Sequence, residues 1–427
     1  MKNKLNDTSD DLNISTSNEK KTFDNKEIEK LFEEVSLDDQ VNINNSGFFE
    51  KIKYWFLKFN NSRVDFLNKA PLVSYSIKRI LYAILTLYIA ISVIFVLLRL
   101  VTPDSTFIMD IDLERAGINY GSEEYWNLLN IRKSMLGVDG PLISQIFSYL
   151  SNITPLWRSN VILNPRVVFE YGEFTITGDE TRMFMYLGVI FGQDTGFPRG
   201  YLVQEAFRGA IPVSFMIGGL GVLISYVLGV PLGILSAKNK EKWQDNTING
   251  VSLILLAIPA IVIIKLLYEF SIYFLGAGAL WDGASSSTFT RMFPVIGIVL
   301  LIMPMIIVNT RRFVVDEMTA DYTKFALSKG LSGKYVFFVH VFRNAGVRLV
   351  RDIPIMFIIT LFGSSILVEQ HWTIPGMSQF ILSGVRDKDT FLVLGYIYLS
   401  ASAGILSTLA GDLALAVLDP RVKLTSK

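Results

Sequence analysis

Few residues in this sequence sit where they could do chemistry. Lys265 and Glu269 lie four apart in an apolar run, a spacing that puts both on one helical face. Charge inside a membrane-length run marks function by default. The pair therefore has two readings: a polar contribution to a translocation path, or an ion pair close to the outer interface with Lys265 reaching for the headgroups. The second is favoured. Asp412, seven residues before Asp419, falls near the end of the last apolar run and reads as structural. His340 and His371 are too far apart in sequence to suggest a histidine metal site. With no cysteine there is neither a disulfide framework nor thiol chemistry, and the redox compartment goes unreported. No GxxxxGK[ST] phosphate cradle, GxSxG elbow or HExxH pair occurs, and no Ser–His pair suggests itself. Energy for any work done by this chain must come from another one.

The one polar stretch with a grammar of its own is 311–344, a basic interruption between the apolar blocks 292–310 and 353–368. Residues 316–327 carry Met318, Tyr322, Phe325 and Ala326 at helical spacing. Gly330 and Ser332-Gly333 break that run, and Tyr335, Phe338, Val339 and Phe342 restart it. The expectation is helix, turn, helix: an exposed knob that docks into a partner.

The elements that must hold such a knob are membrane spans. Hydrophobic residues make up 51% of the 427 residues and charged ones 19%, low for a soluble chain. The net charge of +1 comes from segregated charges and gives no reason to expect nucleic acid. Apolar runs at 80–98, 210–236, 247–268, 292–310, 353–368 and 390–411 predict six crossings, Pro231 and Pro259 kinking theirs. Lysines and arginines crowd 237–246, 310–351 and the tail after the last span. On the other side 276–290 has none, and 371–390 has only Arg386 and Lys388. The positive-inside rule then predicts a multi-pass protein of the plasma (cytoplasmic) membrane with both termini and the Gly330 loop in the cytoplasm.

Three regions lie outside that frame. Residues 1–46 are Asn-, Asp-, Ser- and Lys-rich and read as a disordered cytoplasmic tail. Residues 47–70 begin with an aromatic, basic face (Phe48, Ile52, Trp55, Phe56, Phe59), too short to span, which predicts an interfacial amphipathic helix. The first span occupies 76–102. The stretch 103–206, outside the membrane, is too long for a connector and predicts an extracellular domain of short helices, such as 142–151, with a hairpin at 166–171 and 173–177 around Gly172. Residues 207–419 hold the other five spans, and 420–427 form a cytoplasmic tail.

The run Asp321-Tyr322, Ala326, Lys329-Gly330-Leu331-Ser332, His340, Arg343-Asn344 resembles the cytoplasmic coupling loop of ABC importer permeases, in its dipeptide and oligopeptide variant. Counting back from Gly330 puts Lys324, Phe325 and Ala326 in the family's EAA places. Further pieces follow in order: Pro103-Asp104, Leu136-Gly137-Val138-Asp139-Gly140-Pro141-Leu142, Phe191-Gly192-Gln193-Asp194-Thr195-Gly196, Gly229-Val230-Pro231-Leu232-Gly233, Ile258-Pro259, then Glu369 with Trp372, Pro375, Gly376 and Met377, and Leu418-Asp419-Pro420-Arg421. The resemblance covers roughly 76–424. It departs at Lys324, where an acid is usual, at Arg348, where the family has Pro, and at 151–188, which looks like an outward-facing insertion.

The resemblance implies an all-α type I ABC importer transmembrane domain of about six spans with an α+β extracellular loop domain. It implies a permease subunit that moves di- or oligopeptides inward without an ATPase site of its own, ATP and Mg being held on partner subunits. The implied partners are a second homologous permease, two ABC ATPases, an extracellular substrate-binding protein, the lipid bilayer and the peptide. The 311–344 residues just quoted would meet the ATPases, with Leu331-Ser332-Gly333 as the turn of the loop. Glu369, Trp372, Pro375 and Gly376 would serve an outer gate or binding-protein docking. The substrate path stays unassigned, with Lys265 and Glu269 as weak candidates. The alternatives are an ion-coupled secondary carrier, which would need mid-span carboxylates and an internal repeat not found here, a membrane-anchored receptor, and an ABC permease for another small solute such as nickel.

Overall fold

The computed structural model describes residues 71–418, apart from 171, 194 and 282–286. The tail at 1–46, the amphipathic segment at 47–70, Asp194 and the 419–427 tail lie outside the described residues. Helix α1 (Pro71–Val101) is the first long apolar helix, reaching further at both ends than its hydropathy run. After a 3₁₀ turn at Asp104–Ile108 come α2 (Glu123–Leu136) and α3 (Leu142–Ile153). The motif between them is explained by its glycines. Gly137 closes α2 at φ +70° and Gly140 turns at φ +70°, so the chain reverses where side chains with a Cβ fit poorly. Pro141 then opens α3, where a missing N–H costs nothing.

Strands β1 (Arg158–Glu170) and β2 (Glu173–Phe184) pair antiparallel around Gly172, which stands at φ +89°. The hairpin lies where the sequence predicts one but is far longer. Asn164-Pro165 looks like a strand end. In the structure it is an irregularity in the register between Leu163 and Arg166, with Asn164 at φ +48°. A bulge there absorbs the proline's missing donor and lets pairing resume. Phe107, Tyr149, Phe191 and Phe391 pack together beneath this outer layer. Asp389, fully buried, accepts the backbone N–H groups of Phe191 (2.6 Å), Gly192 (2.9 Å) and Leu392 (3.1 Å). That carboxylate is what fixes the Phe191-Gly192 stretch of the sequence against the final span.

The remaining helices are α4 (Val203–Lys238), α5 (Trp243–Ala257), α6 (Ala260–Tyr273), α7 (Thr288–Thr319), α8 (Asp321–Ser328), α9 (Gly333–Val336), α10 (Arg343–Ile359), α11 (Ser365–His371), α12 (Ser378–Arg386) and α13 (Thr390–Leu418). Two π-helical segments, Phe337–Phe342 and Thr360–Ser364, join α9 to α10 and α10 to α11.

The frame is the pair α4 and α7. Gly221, Ser225, Gly229 and Gly233 place a small residue at every fourth position of α4, and Ile298, Ile302, Ile306 and Thr310 do the same with branched residues on α7. Gly221 faces Ile298, Gly229 faces Ile306 and Gly233 faces Thr310, so the contacts advance in step and the two helices run parallel. Small residues let backbones approach where no hydrophobic effect drives helices together.

This parallel pairing decides how to read the third apolar run. The sequence predicts one kinked span at 247–268; the structure breaks it at Ile258-Pro259, with α5 and α6 bent by 100°. Legs of 15 and 14 residues rise about 22 and 21 Å, each short of the ~30 Å hydrocarbon. Two parallel neighbours can be joined only by a segment that crosses back, so α5–α6 is one broken span and not a re-entrant loop. Five long helices plus this pair make six crossings.

At the other flank α13 runs antiparallel to α1 and α10. Thr102 bonds Thr390 (2.9 Å) at one end. At the opposite end Asp412 is clamped between Arg79 and Arg351, the latter at 3.2 Å. The expected structural use of Asp412 is therefore a tie of three helices.

Candidate functional site

The polar knob is built differently from the predicted helix–turn–helix. Residues 316–319 are not part of its first helix; they end α7, and Ala320 breaks the chain in an extended conformation (φ −63°, ψ 146°). Only then does α8 begin, eight residues long and too short to cross a membrane. Gly330 follows at φ +82°, in the left-handed region that the sequence's glycine anticipates. Ser332 caps α9 by accepting the Tyr335 N–H at 3.3 Å.

Beneath α8 is a hydrogen-bonded hub that sequence reading missed. Glu317, buried on α7, accepts from the Tyr322 hydroxyl and from Arg348 Nη2 at 2.8 Å. Its own carbonyl accepts from Thr323 at 2.7 Å. Asn344 donates to the Tyr322 oxygen at 3.0 Å. Arg348 also reaches Asp316 at 3.6 Å. Burial, with the Glu317 contact behind it, raises the Tyr322 hydroxyl above its ordinary pKa, which keeps it a donor. Arg348, noted as a departure from the family pattern, is thus the cation that lets Glu317 stay buried. The signal available in the sequence was the Glu317–Tyr322 spacing across a helix break, which no periodicity picks out.

The π segment and α10 fix this knob to the spans. Phe337, Val341 and Ala345 pack on Ala237 and Val314 at the ends of α4 and α7. Lys238 sits over the Phe337 ring at 3.8 Å. Nearby, Asp245 takes a bidentate pair from Arg311 (2.6 and 2.7 Å) and a bond from Ser236 (2.5 Å), tying α4, α5 and α7 at the same level. The knob is thus joined to the ends of α4 and α7, at the level of the Asp245 tie.

The outer face of the knob is an open cleft of about 590 Å³. Tyr322, Ala326, Lys329, Leu331, His340, Arg343 and Asn344, all expected coupling residues, line it together with Phe325, Val339 and Val347. Asp321, Gly330 and Ser332 stand beside the cleft and do not line it: Asp321 pairs with Lys324 at 3.1 Å, and the other two shape the turn. Phe325 on α8 and Phe338 on the π-helical segment are 60% and 62% exposed. Lys329 covers part of Phe325 at 4.4 Å.

The outer candidates come apart. Glu369 is buried and accepts from Ser214 (2.5 Å) and the Ser378 N–H (2.9 Å), while Ser214 accepts the Met377 N–H at 2.8 Å. Gly376 lies so close that a Cβ would strike both Glu369 and Ser214. Trp372 is buried as well, under Tyr268, with its carbonyl taking the Trp281 N–H at 2.7 Å. These three form an internal latch between α4 and the loop that joins α11 to α12, in which Thr373 and Pro375 are exposed. Ser214 is the member the sequence did not reveal. Lys265 and Glu269 do pair, at 3.0 Å, and both stay largely exposed on α6. They join none of the elements described above. Among the described residues no group of histidine and carboxylate side chains could hold a metal ion.

Residues 229–424 match the family described as the binding-protein-dependent transport system inner membrane component. The chain is 32% identical over 229 residues to the oligopeptide transport system permease protein AmiC of Streptococcus pneumoniae, covering 52% of this chain and 44% of that protein. It therefore spans under half the length of that relative. It is 24% identical over 355 residues to the dipeptide transport system permease protein DppB of Bacillus subtilis, covering 83% of this chain and 99% of the other. The oligopeptide transport system permease protein OppB of Salmonella typhimurium is also 24% identical, over 82% of this chain and all of its own length. Among solved structures, an inward-facing MetNI methionine ABC transporter superposes with a TM-score of 0.42 at 14% identity, over 51% of this chain and 97% of that one.

Proposed function

We propose, on the premise that its membrane core belongs to the binding-protein-dependent inner membrane components, that this chain is the permease subunit of an ATP-driven importer of di- or oligopeptides. It holds no ATPase site; ATP and Mg act on two cytoplasmic subunits, a second permease completes the pore, and an extracellular binding protein delivers the peptide. The observation that carries this reading is the knob: an open cleft lined by exposed Phe325 of α8, with α8 held to the end of α7 through Glu317, and the following π segment, which exposes Phe338, packed through Phe337 on the ends of α4 and α7. A docked ATPase that closes would press on α8, and the hub would pass that displacement to the spans rather than absorb it. The Glu369–Ser214 latch then serves as the outer gate, held shut by hydrogen bonds that opening must break.

The orientation is testable by labelling. A membrane-impermeant thiol reagent should modify Ser332→Cys in inside-out vesicles and leave it untouched in intact cells. Modification in intact cells would turn the chain over and remove the coupling assignment.

The β1–β2 hairpin, within the 151–188 insertion, is proposed as a platform for the binding protein. It packs on α2 and α3 through few buried residues, Val161 and Ile176 among them, and leaves most of its length exposed. Replacing residues 159–183 by a short Gly-Ser linker should spare membrane insertion and ATPase association. It should weaken capture of the complex by immobilised binding protein about tenfold. Unchanged capture would make the hairpin dispensable for docking.

A further inference from the structure

The coupling cleft carries charge of one sign. Of the polar side chains on its wall, Tyr322 and Asn344 are spent on the hub, Tyr322 donating to Glu317 and accepting from Asn344 at 3.0 Å. Lys329, His340 and Arg343 remain. Lys329 and Arg343 are exposed, and among the described residues neither has an ion pair or a side-chain hydrogen bond. No carboxylate lines the cleft. The acids around it are engaged elsewhere, Glu317 by Arg348 (2.8 Å) and Asp321 by Lys324 (3.1 Å).

The two cations reach the cleft from different elements: Lys329 caps the end of α8 and Arg343 opens α10. Between them the wall is apolar, made by Phe325, Leu331, Val339 and Val347. Lys334 carries the same charge on the same knob, but it stands outside the cleft. The arrangement is therefore a cleft with an apolar wall and two cations lacking counter-charges, distinct from the scattered basic residues around it.

A partner that closes over this cleft takes both cations out of water, and a charge buried without a counter-charge is strongly unfavourable. Arg343 offers a planar fork of N–H donors that a carboxylate can meet at two points. The wall between the cations suits a large aliphatic or aromatic side chain. We infer that the segment of the ATPase that enters the cleft is acidic, bringing carboxylates to Arg343 and Lys329 and lodging an apolar side chain against Phe325 and Leu331. The inference rests on the proposal that an ATPase docks here, and it adds what that subunit must present.

The test uses the complete complex, with an affinity tag on this chain. Arg343→Glu should lower the ATPase recovered with the tagged chain about tenfold, because it replaces a charge-assisted pair by repulsion. Arg343→Lys keeps the charge without the fork and should lose about threefold. Lys334→Glu, the same reversal outside the cleft, should leave recovery within about twofold. Recovery with Arg343→Glu equal to the parent, or equal losses in Arg343→Glu and Lys334→Glu, would overturn the inference. A zero-length carbodiimide, which joins an amine to a touching carboxylate as an amide, reads the partner's chemistry directly. It should link Lys329 to an ATPase, and Lys329→Gln should remove that adduct. An ATPase adduct at Lys329 with an amine-to-amine linker, and none with the carbodiimide, would also overturn the inference. If neither reagent joins Lys329 to an ATPase in a complex that imports peptide, the coupling proposal itself falls.

Discussion

Gly330→Asp should yield a complex that reaches the membrane and imports no measurable peptide. At φ +82° any residue with a Cβ costs about 1–2 kcal/mol. That strain sits in an exposed turn and is small against the stability of the spans. A Cβ added at Gly330 meets nothing within 4 Å inside this chain, so the fold itself has room for it. The damage must therefore appear at whatever docks on the turn, as a displaced Leu331 at the cleft wall and a new negative charge on the docking face. Lys324→Ala removes only an exposed pair with Asp321 and should leave uptake within about twofold, since exposed pairs contribute ~0–1 kcal/mol. Peptide-stimulated ATP hydrolysis and uptake, measured side by side, check both variants. Normal stimulation in Gly330→Asp would take the coupling function away from this turn.

Gly233→Leu should act at the opposite level, on the protein rather than its output. A Cβ there would lie 2.6 Å from Thr310 Cβ and 2.8 Å from the Ile307 carbonyl oxygen. The second contact is backbone and cannot rotate away. Overpacking a well-filled contact costs about 1–3 kcal/mol, occasionally more, and this one would force α4 and α7 apart where Asp245 and the coupling helices are attached. The expected result is a several-fold loss of protein in the membrane and a lower thermal midpoint in detergent. Gly250→Leu is the control: Gly250 sits on α5, and a Cβ there meets nothing within 4 Å. Equal behaviour of the two variants would mean that the α4–α7 contact does not hold the core together.

The difference between these variants also shows what the sequence could reveal. The turn of the knob was legible because a turn must be made from the few residue types that make turns, and Gly330 with Ser332-Gly333 stands out between apolar blocks. The α4–α7 seam was present as glycines and serine four apart, but which helix they meet is not a property of one segment. The broken span stayed hidden because Ile258-Pro259 is as apolar as its surroundings, and hydropathy measures length without direction. The hairpin runs past the alternating stretch of its sequence because Asn164-Pro165, a pair that usually ends a strand, here makes an irregularity after which pairing resumes. Glu369 and Trp372 read from the sequence as residues of an outer gate or of binding-protein docking; that both are buried, which composition cannot report, is visible only in the fold. The Glu317–Tyr322–Asn344–Arg348 hub joins residues up to 31 apart across a helix break, beyond any local pattern.

The most direct test of the coupling account is a photo-crosslinking amino acid placed at Leu331, on the wall of the cleft, in the complete complex. The account predicts an adduct with an ATPase subunit, formed in membranes and lost in Gly330→Asp. An adduct with the extracellular binding protein, or none from a complex that still imports peptide, would contradict it.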